Sequence, residues 1–340
     1  MAEISMGSIA RQQSQWWSVS PRRLRSSLLA STCMAAGVLL GSAVGLPNYE
    51  QAVAADTATW TSGGTGTQTD FNDATNYNNN TPATPPDGND VVIVAAPNDP
   101  TTTVAVTVNS LTLSSGTLTV ANGDAIAVTT SYQQQGGTLI GANAAGDVLA
   151  DTVTISGGTV DATATISATT SYTLSGATGA TIDGVLTGPA GLAVSGSGTF
   201  LVGGTNTYAG ATTIDNGTLL AGANAVLSSA SATTVNSTGT LDLGGFSETV
   251  AAGITVAGGT LTNGTLTGTA VTATSGTVSS LAGDMTLAVT TGSTTISGSN
   301  SYTGTTTIGT GGTLLAGANA VLSSASATTV NATGTLDLGG

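Results

Sequence analysis

The chain has no histidine, a single cysteine, and only four basic residues, all near the N-terminus: Arg11, Arg22, Arg23 and Arg25. These shortages exclude much. Past Cys33 there is no Lys, Arg, His or Cys, so Ser-His-Asp and Cys-His catalysis have no base or nucleophile pair. Zinc sites with nitrogen or sulfur ligands and a P-loop lysine are excluded as well. No arginine can clamp a phosphate or a carboxylate, and nucleic acid would meet no positive charge. Charged residues of both signs make up 6%, against about 25% in a typical domain, so an enzyme with an ion-paired surface is not expected. Charge-driven disorder is not expected either. Eight prolines without a Gly-X-Y period exclude collagen. What is abundant is Thr, Ser, Ala, Asn and 48 Gly, punctuated by Val, Ile and Leu, a β-rich composition.

The basic residues belong to a leader. From 26 to 46 there is no charge, and Leu28, Leu29, Val38, Leu39, Leu40 and Val44 make the stretch apolar. Pro47 ends any helix, and Ala52-Val53-Ala54 is a small-residue cleavage signal. This order is that of a secretory signal peptide, expected over 1–55 with a long basic region. A retained membrane anchor is the competing reading of ~20 apolar residues. The Gly, Ser and Ala that dilute the stretch, and the A-x-A after it, favour cleavage. Cleavage after Ala55 would remove every basic residue and Cys33, with Glu3 and Glu50, leaving 16 acidic side chains and no cation. The mature part would then lack disulfides, and a long stacked array is the way such a chain buries a core.

Three regions follow. Residues 56–100 form an Asn/Thr/Pro-rich segment ending near the apolar run Val91-Val92-Ile93-Val94. Residues 101–190 carry short period-2 pieces such as Val104-Ala105-Val106-Thr107-Val108, Thr117-Leu118-Thr119-Val120 and Thr152-Val153-Thr154-Ile155, bounded by Gly, Asn or Asp. Residues 191–340 carry a duplication. GTLLAGANAVLSSASATTVNSTGTLDLGG at 217–245 recurs 95 positions later at 312–340, changing only Ser237 to Ala332. Upstream, Asn206-Thr207-Tyr208-Ala209-Gly210-Ala211-Thr212-Thr213-Ile214 matches Asn300-Ser301-Tyr302-Thr303-Gly304-Thr305-Thr306-Thr307-Ile308.

Recurrent Gly and β-branched residues argue against helical repeats, and propeller signatures are missing. A β-solenoid fits best, with two or three short strands per coil and about 20–25 residues per coil, so that the duplication spans about four coils. Residues 221–230 and their copy look least strand-like and read as a loop or short helical excursion outside the coil.

Asn206-x-Tyr208-x-Gly210-x-Thr212-Thr213-Ile214, with Gly217-Thr218-Leu219-Leu220, Asn224-Ala225-Val226-Leu227 and the continuation through Phe246-Ser247-Glu248-Thr249-Val250, resembles the autotransporter-associated β-strand repeat. A looser echo begins at Ser171-Tyr172. The resemblance implies an all-β, right-handed parallel β-helix passenger, exported to the surface of a Gram-negative-type cell and often adhesive. Such proteins usually end in a membrane β-barrel, which this chain does not contain. The second copy stops where the first runs on into Phe246, so a fragment of a longer protein is expected.

No catalytic residue, cofactor ligand or metal ligand stands out. A carboxylate-only glycosidase would need a pair of Asp or Glu, but Asp161, Asp183 and Asp215 read as isolated turn residues. Asp70, Asp73, Asp87, Asp90 and Asp99 lie close in sequence without a calcium pattern, and read as a solvated acidic loop. Thr-x-Thr at Thr57-Ala58-Thr59 and Thr272-Ala273-Thr274 shows no regular spacing that would build a crystal-binding face. Tyr208 and Tyr302 could stack on glycans, though a place at a coil corner suits them better. The sequons at Asn216, Asn236, Asn263 and Asn331 carry little weight if the host is bacterial, as the resemblance implies. The expectation is a non-enzymatic adhesin or stalk whose partners are neutral glycans or surface proteins. A secreted carbohydrate-active β-helix enzyme and a structural matrix component are the alternatives.

Overall fold

A computed structural model of the chain describes residues 57–59, 91–94, 100–102, 104–121, 123–142 and 146–339, all within the unit Val53–Gly340. The expected leader and the acidic cluster Asp70, Asp73, Asp87, Asp90 and Asp99 lie outside them. The described residues hold 24 strands and no helix, and hence no helix that could cross a membrane. Every strand pairing is parallel, and the strands stack as a β-solenoid of about 11 turns.

Three parallel ladders form its walls. One climbs through 106–108, 126–128, 148–150, 166–168 and 185–187. A second starts at Thr57–Thr59 beside Val91–Val94, continues through 110–113, 131–134, 152–155 and 171–174, and ends at Thr328–Val330. The third runs from Thr117–Thr119 through 138–140 and 199–202 to Thr335–Asp337. The ladders pass 190 without a break, since Gly191 pairs with Ser171 and Leu192 with Thr212. Several strands serve two walls. Val106–Leu113 bends between Val108 and Ser110, where the register shifts, as an extra residue in one strand turns its direction.

Period-2 alternation puts one set of side chains inside. Leu113, Gln134, Ile155, Leu174, Val194 and Ile214 stand in register on successive coils, all fully buried. Each apolar member contributes about 1.5–3 kcal/mol by leaving water. Gln134 is tolerated because its amide is satisfied: Oε1 accepts from the Tyr132 hydroxyl at 3.0 Å, and Nε2 donates to the Thr159 carbonyl at 2.8 Å. Thr294 is not so served. It is fully buried and its hydroxyl has no partner. Thr294→Val keeps shape and β-branching while removing an unpaired polar group, so thermal or urea unfolding should show a gain of about 1 kcal/mol. A loss would mean that the hydroxyl has a partner in solution.

Two expectations are corrected. Coils are not uniformly 20–25 residues long, because several are shorter. Ser131 stands beside Ser110, 21 positions on, but Val271 beside Ile254, 17 on, and Thr286 beside Ala270, 16 on. The duplication therefore spans five coils, through Thr218, Thr240, Thr260, Thr277 and Thr295 to Leu315. The short coils dispense with corner residues and keep the walls. Second, the segment 221–230 is a loop, one of its two expected forms, but it does not lie wholly outside the coil. Val226, Leu227 and Ser228 are buried. The segment continues a wall, held by irregular turns rather than by a regular strand, and so lacks an alternating pattern. Gly217 makes one tight turn possible. Its φ is +68°, and a Cβ there would run into the carbonyls of Gly196 and Gly198 in the coil beneath.

Candidate functional site

The duplicated motif is the feature a functional reading must explain, and its polar atoms turn inward. The Asn206 carboxamide joins three coils. Its Oδ1 accepts from Leu186 N–H at 2.7 Å, and its Nδ2 donates to the carbonyls of Gly204 at 3.0 Å and Val226 at 2.8 Å. Asn300 repeats this with Leu281 N–H, Ser297 and Val321. The Tyr208 hydroxyl meets Thr212 Oγ1 at 2.7 Å, Thr212 meets Ser231 Oγ at 2.9 Å, and Ser228 Oγ donates to the Tyr208 carbonyl at 2.6 Å. Tyr302, Thr306, Ser326 and Ser323 form the same network. Tyr208 and Tyr302 are 1% and 0% exposed, so neither ring can stack on a glycan in the folded protein. Burial pushes the Tyr208 phenol up to about 12. The echo at Ser171-Tyr172 is a different element. Tyr172 lies within a wall beside Leu192, and its hydroxyl accepts from Ala168 N–H at 2.9 Å.

Two buried carboxylates, Asp147 and Glu248, were not singled out by sequence. Glu248 is 1% exposed, and its two carboxylate oxygens accept from Val226 N–H at 3.1 Å and Leu227 N–H at 3.0 Å. Ala225, just before, has φ +54°, a conformation that costs an alanine about 1 kcal/mol. It turns successive N–H groups toward one point, which makes an anion-binding concavity. Burial raises the Glu248 carboxyl above the ordinary glutamate range, and the Leu227 and Val226 N–H bonds pull it partly back. A raised folded value means that the native state holds the proton more tightly than the unfolded chain. The stability Glu248 contributes is thus complete below the ordinary glutamate range and is lost as pH rises through the folded value. The melting temperature of wild type minus that of Glu248→Gln should fall as pH rises above the ordinary glutamate range. A difference that grows with pH would contradict the raised value.

Asp147 is buried too, its carboxylate accepting from Ala142 N–H at 3.0 Å and Thr165 N–H at 2.7 Å, whereas Asp151, Asp161 and Asp215 are not buried. Asp161 Oδ1 accepts from the Thr163 hydroxyl at 2.7 Å and its N–H at 3.0 Å, which holds the carboxyl below the usual range. Asp151 is likewise lowered by the Thr170 and Thr169 hydroxyls. Asp215 accepts from Asn236 Nδ2 at 2.6 Å. Asp161 and Asp183 are less isolated than sequence suggests, since Val160 pairs with Ile182 and brings the two to adjacent rungs. General-acid work needs a carboxyl with a raised pKa. Asp161 is shifted the other way, and Glu248, which has such a shift, is sealed inside. Among the described residues no group of three or more His, Cys, Asp or Glu side chains gathers in a metal-binding arrangement. Of the sequons, Asn263 stands at φ +64° and donates to Asp242 Oδ1 at 3.1 Å.

Threonine ladders are the feature that sequence spacing hid. On the third wall Thr199, Thr218, Thr240, Thr260, Thr277 and Thr295 occupy six successive rungs. On the second, Thr213, Thr234, Thr255 and Thr272 do the same. All alternate with buried neighbours and are themselves part-exposed or exposed. The expectation of no regular spacing is therefore corrected: sequence intervals vary because coil lengths do, while the rungs stay about 4.8 Å apart.

Comparison with protein-family models, with curated proteins and with solved structures finds no match to this chain. The likeness to autotransporter-associated repeats rests on the residues quoted above.

Proposed function

We propose that this chain is an exported, surface-displayed β-helix passenger that acts without catalysis, as an adhesin or stalk. The observation that carries the reading is the division of labour among polar side chains. Asn206, Tyr208, Thr212, Ser228 and Ser231 of the duplicated motif are spent on coil-to-coil bonds inside. Those left for a partner are neutral hydroxyl ladders on walls without a single basic residue. Such a surface suits hydrogen bonding to neutral glycans or proteins and repels polyanions. The low-charge, cation-free composition and the leader-like N-terminus support export to a Gram-negative-type cell surface.

The test has two arms. Intact producing cells are probed with antibody and with protease, and beads coated with neutral glycans are scored for adhesion. Surface labelling is expected, with adhesion reduced at least tenfold by Thr218→Val, Thr240→Val, Thr260→Val and Thr277→Val together. These substitutions keep β-branching and should leave the circular dichroism unchanged. Cytoplasmic retention would overturn the reading. So would hydrolysis of a polysaccharide that Asp183→Asn abolishes, the outcome expected of the carbohydrate-active alternative.

A further inference from the structure

The lower half of the second wall carries a grid of hydroxyls. Its successive rungs read Ser110-x-Thr112, Ser131-x-Gln133, Thr152-x-Thr154 and Ser171-x-Thr173, and the register sets each pair directly on the next. The residues between them, Leu111, Tyr132, Val153 and Tyr172, are fully buried, so the grid side chains point away from the core, and none of them is buried. The grid is bounded within the solenoid. Val91 and Ile93, paired with Ser110 and Thr112 on one side, bring no hydroxyl, and neither do Gly191 and Ala193, paired with Ser171 and Thr173 on the other.

The grid is uncharged and largely unspent. Among the described residues the Thr152 hydroxyl is the only one of the set to bond to the protein, donating to the Thr130 carbonyl at 3.2 Å. Its spacing is that of ordered water. Rungs of a sheet lie about 4.8 Å apart, and residues i and i+2 about 6.7 Å apart along a strand. Water joined tetrahedrally by hydrogen bonds of about 2.75 Å repeats every ~4.5 Å along one direction of hexagonal ice and every ~7.3 Å along the perpendicular one. The two nets drift apart by about 0.9 Å across the rungs and about 0.6 Å across the columns, well under one water–water separation.

We propose that this grid binds ice, holding a layer of water in positions that continue into one face of a crystal. A single hydroxyl that trades bulk water for ordered water gains little, so the contact accumulates only against a rigid, repeating partner. A crystal is such a partner, because it has no chain to order on contact, whereas a soluble glycan must be immobilised. An ionised side chain in the grid would hold its own hydration shell against the lattice. Ice binding here is independent of the adhesive role proposed for the third wall.

The purified full chain is assayed for inhibition of ice recrystallisation in frozen sucrose, where slower coarsening of the crystals is expected. Thr154→Lys, inside the grid, should raise the concentration needed at least ~10-fold. Thr107→Lys, an equally outward change on the first wall, should leave it unchanged, and both variants should keep the β circular dichroism. Recrystallisation indifferent to the chain, or Thr154→Lys and Thr107→Lys behaving alike, would overturn the proposal. So would retention on crystalline cellulose particles that Thr154→Lys abolishes while ice growth is unaffected, an outcome that assigns the grid to a polysaccharide. The third-wall threonine variants leave the grid intact, so failure of ice binding and failure of adhesion are told apart.

Discussion

Asn206→Ala is expected to lower stability by about 3 kcal/mol, a large effect for a polar residue. Removing the carboxamide strips a partner from Leu186 N–H, Gly204 C=O and Val226 C=O together, and a buried group left unpaired costs about 1–3 kcal/mol. The Val226 carbonyl keeps a weak second donor in Asn206 N–H at 3.4 Å, which sets the total nearer three than six. Because the three groups belong to three successive coils, the loss should appear as faster amide exchange spreading to both sides of the site. Asn206→Asp should be as damaging, since it removes the Nδ2 donor and adds a buried charge. A cost under ~0.5 kcal/mol, the range of ordinary surface substitutions, would show that the side chain does not bridge coils.

Phe200→Ala should cost about 4 kcal/mol. The ring is fully buried and sits in its ladder between Ala180 and Leu219. The small Ala180 cannot fill the space left, so a cavity is expected rather than collapse. Solenoid coils depend mainly on their neighbours, so the urea transition of the variant should broaden or split as the coils around 200 melt before the rest. A single transition with unchanged midpoint would contradict the packing described. The second copy offers an internal comparison. Thr294, paired with Leu314 as Phe200 is with Leu219, occupies the matching position with a shorter side chain and an unsatisfied hydroxyl.

The walls of the solenoid were legible because inward positions are chemically unlike outward ones. The alternation of apolar residues with Thr in Thr152-Val153-Thr154-Ile155, within the strand Val148–Ile155, marks a strand directly. The corners were not. At 221–230 backbone groups bond to side chains such as Asn206 and Glu248, so apolar residues follow no period and the segment looked detached. Coil length was misjudged for a related reason. Between Ile254 and Thr286 the chain shortens its corners while holding register, and sequence shows the interval, not the register. The Thr ladders vanished from view through the same variation. Glu248 could have been found. A lone acid between Ser247 and Thr249, in a chain so poor in charge, matches a position one coil after the Asn-Ala-Val-Leu corner. Only the positive φ at Ala225 explains why it is wanted there. Tyr208 and Tyr302, read from sequence as suited to a coil corner, lie between strands, Tyr208 after Val202 and before Thr212 and Tyr302 after Ser297 and before Thr306.

The central claim is that successive coils stack in register, so that residues far apart in sequence line one wall at the inter-strand spacing. Past Cys33 the chain contains no native cysteine, so with Cys33→Ser spin labels at Thr199→Cys and Thr295→Cys carry no background. These positions are five rungs apart on the same face. Pulsed electron paramagnetic resonance should return one narrow distance of about 24 Å, five spacings of about 4.8 Å. A broad distribution centred near ~55 Å, as for a flexible chain of that length, or a narrow distance far from 24 Å, would contradict the stacked solenoid.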